Sequence, residues 1–282
     1  MHLSAFSAKP AQIFAATGAV LLAVTGMAIS TTGAYGASPA AARLPGATTK
    51  VPKLSHQLCY TATAKGFHIP GGVTLFDKFT PGGWPVKIGP ETMNCNPVAK
   101  TIKSSTGTKI FPITYPDGHL ACFSIKQATL KLPASINVAN QFGNGMLFPA
   151  QPTLLCLPTW KSLVKPPHNK AVEPPFLDHF TCYPVKSKGK FVVPPLVLQD
   201  EFGKSQPKVS NVPTLLCLVT QKNVQGKVFK VVHPGGMLLC FPVSPTPIKN
   251  PVFDQNQFGN ATVTIKKSSV LCLPTVSSTA KP

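Results

Sequence analysis

The sequence predicts an all-β protein: four short-strand repeats of about 40 residues, paired into two β-sandwich or barrel-like modules and stapled by disulfides. Three observations carry this. The chain of 282 residues holds 31 Pro and 21 Gly, and Pro at that frequency breaks long helices and interior strands alike. Clusters of Val, Ile, Thr and Phe stand between the breaks, the composition of short strands. Eight cysteines recur at alternating long and short intervals, each in a similar local phrase.

The elements follow in chain order. Residues 1–36 read as an export signal, with Lys9 in a short leading segment, an apolar run over Ile13–Ile29 and small residues at Ala34-Tyr35-Gly36 or Ala40-Ala41-Ala42. An uncleaved anchor is the alternative reading. No Cys lies near the cleavage region, which argues against lipid attachment, and no other run approaches the length of a membrane span. Residues 37–50 are expected to be disordered. Units 1 and 2 are expected to form one module (51–161) and units 3 and 4 another (176–276), joined by a Pro-rich linker (162–175) and followed by a tail (277–282). The grouping rests on Lys109–Cys122 aligning without gaps to Lys227–Cys240, while Lys161–Pro175 is rich in Pro and charge.

Each unit opens on Cys-aromatic: Cys59-Tyr60, Cys122-Phe123, Cys182-Tyr183 and Cys240-Phe241. A Phe follows in each (Phe79, Phe142, Phe202, Phe258), then a second Cys (Cys95, Cys156, Cys217, Cys272). This pattern, carried by His56-Gln57-Leu58-Cys59-Tyr60, His179-Phe180-Thr181-Cys182-Tyr183, Asn140-Gln141-Phe142-Gly143 and Asn94-Cys95-Asn96-Pro97-Val98-Ala99-Lys100, resembles an uncharacterised repeat-domain family of secreted bacterial proteins. The resemblance spans about Leu54 to Val276 and implies a secreted repeat fold without implying an activity. The chain departs from the pattern at Asn140 and Asn256, where the family has Asp, and in unit 4, which has no His three residues before Cys240.

Within a unit, Ala261–Lys266 alternates apolar and polar residues, the period of a half-buried strand. Asn-Gln-Phe-Gly-Asn, present at 140–144 and 256–260, suits a tight turn behind a buried Phe, because Asn bonds its own nearby backbone and Gly accepts positive φ. The four Phe residues are therefore expected to be structural anchors. Leu flanks the second Cys on both sides in units 2, 3 and 4; strand neighbours face opposite ways, so both faces are covered, as in a sandwich or closed barrel. Unit 1 has Asn94 and Asn96 there, which fits an exposed terminal repeat.

An exported chain with an even Cys count reads as disulfide-bonded. The simplest pairing is within units, 59–95, 122–156, 182–217 and 240–272, with cross-unit pairing left open. Zinc is the rival reading, since His56, His119 and His179 each precede a Cys by three residues, but that spacing throws His and Cys to opposite strand faces. No metal and no cofactor is expected. Catalytic motifs of the GxSxG, HExxH and phosphate-loop types are missing from the sequence, so a non-enzymatic role is expected. The alternative is a secreted polysaccharide hydrolase drawing on Asp77, Asp200, Glu201 and Asp254, chiefly Asp200 and Glu201. Tyr60, Phe123, Tyr183 and Phe241 form a candidate ligand platform if their face is open, and otherwise pack against a sister unit.

The formal charge is +19, with Asp+Glu 8 against Lys+Arg 27, and Arg43 is the sole Arg. Such charge attracts polyanions, whereas near-absence of Arg disfavours sequence-specific nucleic-acid reading. The expected partners are acidic envelope polymers or another extracellular protein, and the expected place is outside the cell or at its envelope.

Overall fold

Each cysteine sits on its own strand. In the computed structural model, which describes residues 53–105, 107–248 and 251–278, every regular element is a strand. Unit 1 supplies β1 (Gln57–Lys65), β2 (Val73–Phe76) and β3 (Trp84–Pro97), followed by β4 (Ala99–Ser104) and β5 (Gly107–Phe111). Unit 2 supplies β6 (His119–Lys126), β7 (Ile136–Asn140), β8 (Gly143–Pro149) and β9 (Leu154–Ser162). Unit 3 supplies β10 (His179–Phe191), β11 (Leu196–Asp200), β12 (Gly203–Ser205) and β13 (Leu215–Val224), followed by β14 (Lys227–Phe229). Unit 4 supplies β15 (Met237–Pro242), β16 (Pro251–Asn256), β17 (Gly259–Pro274) and β18 (Val276–Ser278).

The antiparallel pairings β1–β3, β3–β6, β6–β9, β9–β10, β10–β13, β13–β15, β15–β17 and β17–β1 return to their start. The cysteine strands thus form a closed eight-stranded barrel. Closure removes the unpaired edges an open sheet would present. Each Cys lies directly opposite its partner in register, and the four bonds are Cys59–Cys95, Cys122–Cys156, Cys182–Cys217 and Cys240–Cys272. All eight cysteines are bonded.

The barrel interior is sulfur-filled. The cysteines pack in one buried cluster with Leu120, Phe180, Leu238 and Val270. Cys156 Sγ lies 3.7 Å from Cys182 Sγ, and Cys59 Sγ 3.9 Å from Cys272 Sγ, so neighbouring disulfides touch. The remaining void of about 10 Å³ holds at most one water. The Leu neighbours of each Cys point outward into two further clusters, built around Leu216, Leu239, Leu271 and Leu273 and around Leu155 and Leu157. Those outer clusters are covered by the hairpins that leave the barrel between the two Cys strands of each unit.

The two expected modules are joined in one body. The described residues all belong to one compact unit. Strand β9 pairs β10 across the Pro-rich stretch 162–175, and β1 of unit 1 pairs β17 of unit 4. A four-stranded sheet, β12-β11-β4-β5, also crosses the expected boundary. Burial is the physical reason: a ring of eight strands closes only when all four units contribute. The expected signal (1–36) and disordered stretch (37–50) lie outside the described residues. The start of the expected tail is strand β18, paired with β7.

Candidate functional site

Each anchor Phe follows an Asx turn. The side-chain oxygen Oδ1 of Asp77, Asn140, Asp200 and Asn256 accepts the backbone N–H two residues on, at Phe79, Phe142, Phe202 and Phe258. The turn aims each ring at the post-Cys aromatic two units away. Tyr60 meets Phe202, Phe123 meets Phe258, Tyr183 meets Phe79 and Phe241 meets Phe142, all edge-to-face at 5.0–5.3 Å. The candidate platform is therefore closed: Tyr60, Phe123, Tyr183 and Phe241 are all buried, at 3 % exposure or less. The anchor hairpins cover the outer barrel face that these residues occupy.

The polar partner of each turn follows the aromatic. Tyr60 donates to Asp200 Oδ2 at 2.6 Å, and Tyr183 to Asp77 Oδ2 at 2.6 Å. Where the aromatic is Phe, the turn residue is Asn. Phe carries no hydroxyl to donate, and Asn140 and Asn256 instead donate to Thr275 and Thr159 at 3.3 Å. Burial, then the Asp charge, pushes both Tyr hydroxyls up, so they stay protonated donors. The signal was in the sequence as a paired alternation, Tyr with Asp in units 1 and 3 and Phe with Asn in units 2 and 4.

A second set of residues meets where one unit abuts the next. The fifth residue after the second Cys is Lys100, Lys161 or Lys222 in units 1 to 3, and the position three before the first Cys is His56, His119 or His179. Lys100 Nζ lies 4.6 Å from the Phe111 ring and 4.7 Å from Phe142. Lys222 Nζ lies 4.8 Å from Phe229 and 5.1 Å from Phe258. These are desolvated cation–π contacts, and neither amine has a hydrogen-bond partner among the described residues. Burial, aided by Lys109, brings the Lys100 amine down to about 7; burial likewise brings Lys222 to about 7. Burial and then the lysine charge also lower the histidines: His56 to about 3 beside Lys100, His119 well below its usual value beside Lys161, and His179 downward beside Lys222. His56 and His179 pair with Gln141 and Gln257 at 2.5 and 2.6 Å. Sequence reasoning missed these lysines by counting them with the surface charge.

The junction between units 2 and 3 differs. Asn94 and Asn96, expected to be exposed, are fully buried. Asn94 donates to Glu91 Oε1 at 2.9 Å and Asp254 Oδ2 at 2.6 Å, and Asn96 donates to Asp200 Oδ2 at 3.1 Å. Lys161 Nζ contacts Asn96 Oδ1 and pairs with Glu201 Oε1 at 3.0 Å. They are buried because unit 1 is not terminal in a closed ring. Burial and then Asp254 raise Glu91, and burial raises Asp254 to about 6 against the opposing charge of Lys161. At the junction of units 4 and 1, Met237 and Ser277 replace His and Lys, and Lys78 Nζ reaches Ser277 Oγ at 2.5 Å. A cavity of about 310 Å³ opens there between Phe76, Lys78, Gly236 and Met237.

One end of the barrel is tied by the loops ahead of units 2 and 4. Ser55 Oγ accepts from Thr114 N and Tyr115 N at 3.0 Å, and Asp178 takes the corresponding bonds from Val232 N and His233 N. Asp178 Oδ2 also lies 2.7 Å from His233 Nδ1, whose Nε2 is 3.2 Å from Tyr115 Oη. This Asp–His–Tyr chain draws on three segments remote in sequence and had no local motif to reveal it. No known protein family, curated protein or solved structure matches this chain.

The surface carries the remaining charge. Every acid except Asp117 is buried or half-buried, while most lysines are exposed. The acids of the hydrolase reading are already engaged: Asp200 holds Tyr60, Asn96 and its own turn, and Glu201 faces Lys161. Among the described residues no group of three or more His, Cys, Asp and Glu side chains could hold a metal, and no helix is long and apolar enough to cross a membrane.

The most regular basic face lies on β10 and β8. Lys186, Lys188 and Lys190 alternate along β10 and are all exposed. Their register partners on β8 are Phe148, Met146 and Asn144, with Phe148 40 % and Met146 37 % exposed. Phe191 and Leu147 point the other way and are buried in the outer core. Gly189 and Gly145 face each other in register; a Cβ on Gly189, which has φ of +143°, would lie 2.5 Å from Gly145 Cα. Glycine at both positions lets the two strands approach, and a Cβ on Gly145 would lie 2.9 Å from the Phe191 ring on the buried face.

Proposed function

We propose that this is an exported, non-catalytic binding protein whose β8–β10 lysine face holds an anionic polymer of the cell envelope. The observation that carries the reading is the segregation of charge: every acid but Asp117 is buried or half-buried, most lysines are exposed, and Lys186, Lys188 and Lys190 share one strand face. Alternate strand residues recur about every 6.7 Å, so the three ammonium groups form a row against which a chain of carboxylates or phosphates can lie. Met146 and Phe148 add apolar surface beside that row for the polymer's backbone. Four disulfides suit an oxidising compartment, and the signal-like N-terminus and the resemblance to secreted bacterial repeat domains support the same placement.

Retention on immobilised polyuronate and polyphosphate, compared with neutral dextran, tests this. The acidic resins should hold the protein at low salt and release it steeply as salt rises. Retention that ignores salt, or equal retention on dextran, would remove the lysines as its cause.

A further inference from the structure

The contact between Lys161 and Asn96 has the composition of a condensation site. Both groups are shut away from water: the Lys161 side chain is 0 % exposed and Asn96 is 0 % exposed. Lys161 Nζ abuts the Asn96 side-chain carbonyl, a nucleophile against an amide carbon's oxygen. A carboxylate stands at the nucleophile, with Glu201 Oε1 3.0 Å from Nζ. His119 Nδ1 lies 3.4 Å from Asn96 Oδ1 and 3.9 Å from Glu201 Oε1. Asp200 Oδ2 accepts from Asn96 Nδ2 at 3.1 Å, which fixes the amide's orientation. The Phe202 ring, centred 5.8 Å from Nζ, covers the group.

We propose that Lys161 and Asn96 are joined by an intramolecular isopeptide bond formed after folding. Glu201 takes one proton from the Lys161 ammonium, leaving the neutral amine. Nζ attacks Asn96 Cγ, and His119 is placed to donate to Oδ1 as negative charge builds there. The Nζ–Cγ bond forms and the Cγ–Nδ2 bond breaks. The second Nζ proton and the proton held by Glu201 leave with the departing nitrogen as ammonium, so Glu201 ends as it began. Nothing is oxidised or reduced.

The comparison with the other buried lysines supports the assignment. Lys100 and Lys222 sit between Phe rings and have no hydrogen-bond partner among the described residues. Only Lys161 meets an amide, and that amide stands where units 2, 3 and 4 have Leu157, Leu218 and Leu273. A buried Asn in place of Leu costs stability unless its polar atoms are used. The bond also has a mechanical role. Every disulfide lies inside one unit, whereas Lys161–Asn96 ties β9 of unit 2 to β3 of unit 1 across the intervening β6.

Peptide mapping of the full, unmodified protein after reduction and alkylation tests this directly. The expected product is a branched tryptic peptide joining the Asn96 and Lys161 segments, one ammonia lighter than their sum, with no cleavage after Lys161. Lys161→Arg should give only linear peptides, and Glu201→Gln should lower the branched fraction several-fold. Cleavage after Lys161 together with an intact Asn96 peptide in the wild-type protein would overturn the proposal. So would a branch carrying Asp254, the register partner of Lys161, with loss of water.

Discussion

The lysines of this protein work in two places. Lys100 and Lys222 are fully buried at the unit junctions, each amine between two Phe rings and without a hydrogen-bond partner among the described residues. Lys186, Lys188 and Lys190 stand in a row on the exposed face of β10. The same side chain is a packing element in one region and free charge in the other. Position relative to the second Cys decides which: five residues beyond it, a side chain turns outward from the barrel and under an anchor Phe. Formal charge therefore overstates what the surface carries, and burial brings the inner amines, Lys100 and Lys222, down to about 7.

The largest effect expected is from opening a junction. Phe142→Ala removes a buried ring that touches both Phe241 and Lys100. It should cost about 3–5 kcal/mol in urea unfolding and convert Lys100 into an ordinary hydrated lysine. Next comes the pH dependence of the inner pair. Their folded values near 7 lie below the ordinary 10.5, so the unfolded chain binds more protons between those limits. Stability should rise with pH from about 7 toward 10.5 and owe no slope to these groups below 7. Lys100→Met with Lys222→Met should flatten that rise and add about 1–3 kcal/mol near neutral pH, because an unpartnered amine gives way to an apolar chain. Unfolding midpoints measured across that range check both statements.

A smaller and more specific effect concerns the anchor turns. Tyr183→Phe leaves Asp77 Oδ2 without its 2.6 Å donor and should cost about 1–3 kcal/mol. Adding Asp77→Asn should recover most of the loss, since it reproduces the Phe241–Asn140 pairing of unit 2 with unit 4. A double-mutant cycle measures this coupling; additive losses would show that the Tyr–Asp and Phe–Asn forms are not interchangeable.

Much of the architecture was legible because the cysteines repeat their context. Leu on both sides of a Cys meant a strand covered on both faces, and the barrel has sulfur inside and Leu outside. The turn at Asn140–Gly143 was legible from residue chemistry alone. Two features misled. Lys109–Cys122 matches Lys227–Cys240 because β5 and β14 each lay a Phe over a junction lysine, which marks corresponding places in one ring rather than two separate modules. Tyr60 and its counterparts face away from the sulfur core, as their alternation required, yet hairpins from two units away bury them. Alternation reports the face of a strand and is silent on what a distant segment lays over it. For the same reason Asn96 and Lys161 gave no sign in the sequence that they meet.

The outer lysines should be almost silent in stability, with Lys186→Gln, Lys188→Gln and Lys190→Gln together shifting it by no more than about 0.5 kcal/mol per site. Their effect belongs in binding. The most direct measurement is the salt dependence of polyuronate affinity for this triple variant beside a control that removes the same charge at Lys53, Lys208 and Lys227, which are exposed elsewhere. The β10 variant should lose most of its affinity and show a shallower salt slope, while the control keeps both near wild type. Equal losses in the two variants would contradict the account, reducing the β8–β10 face to an unremarked share of the overall positive charge.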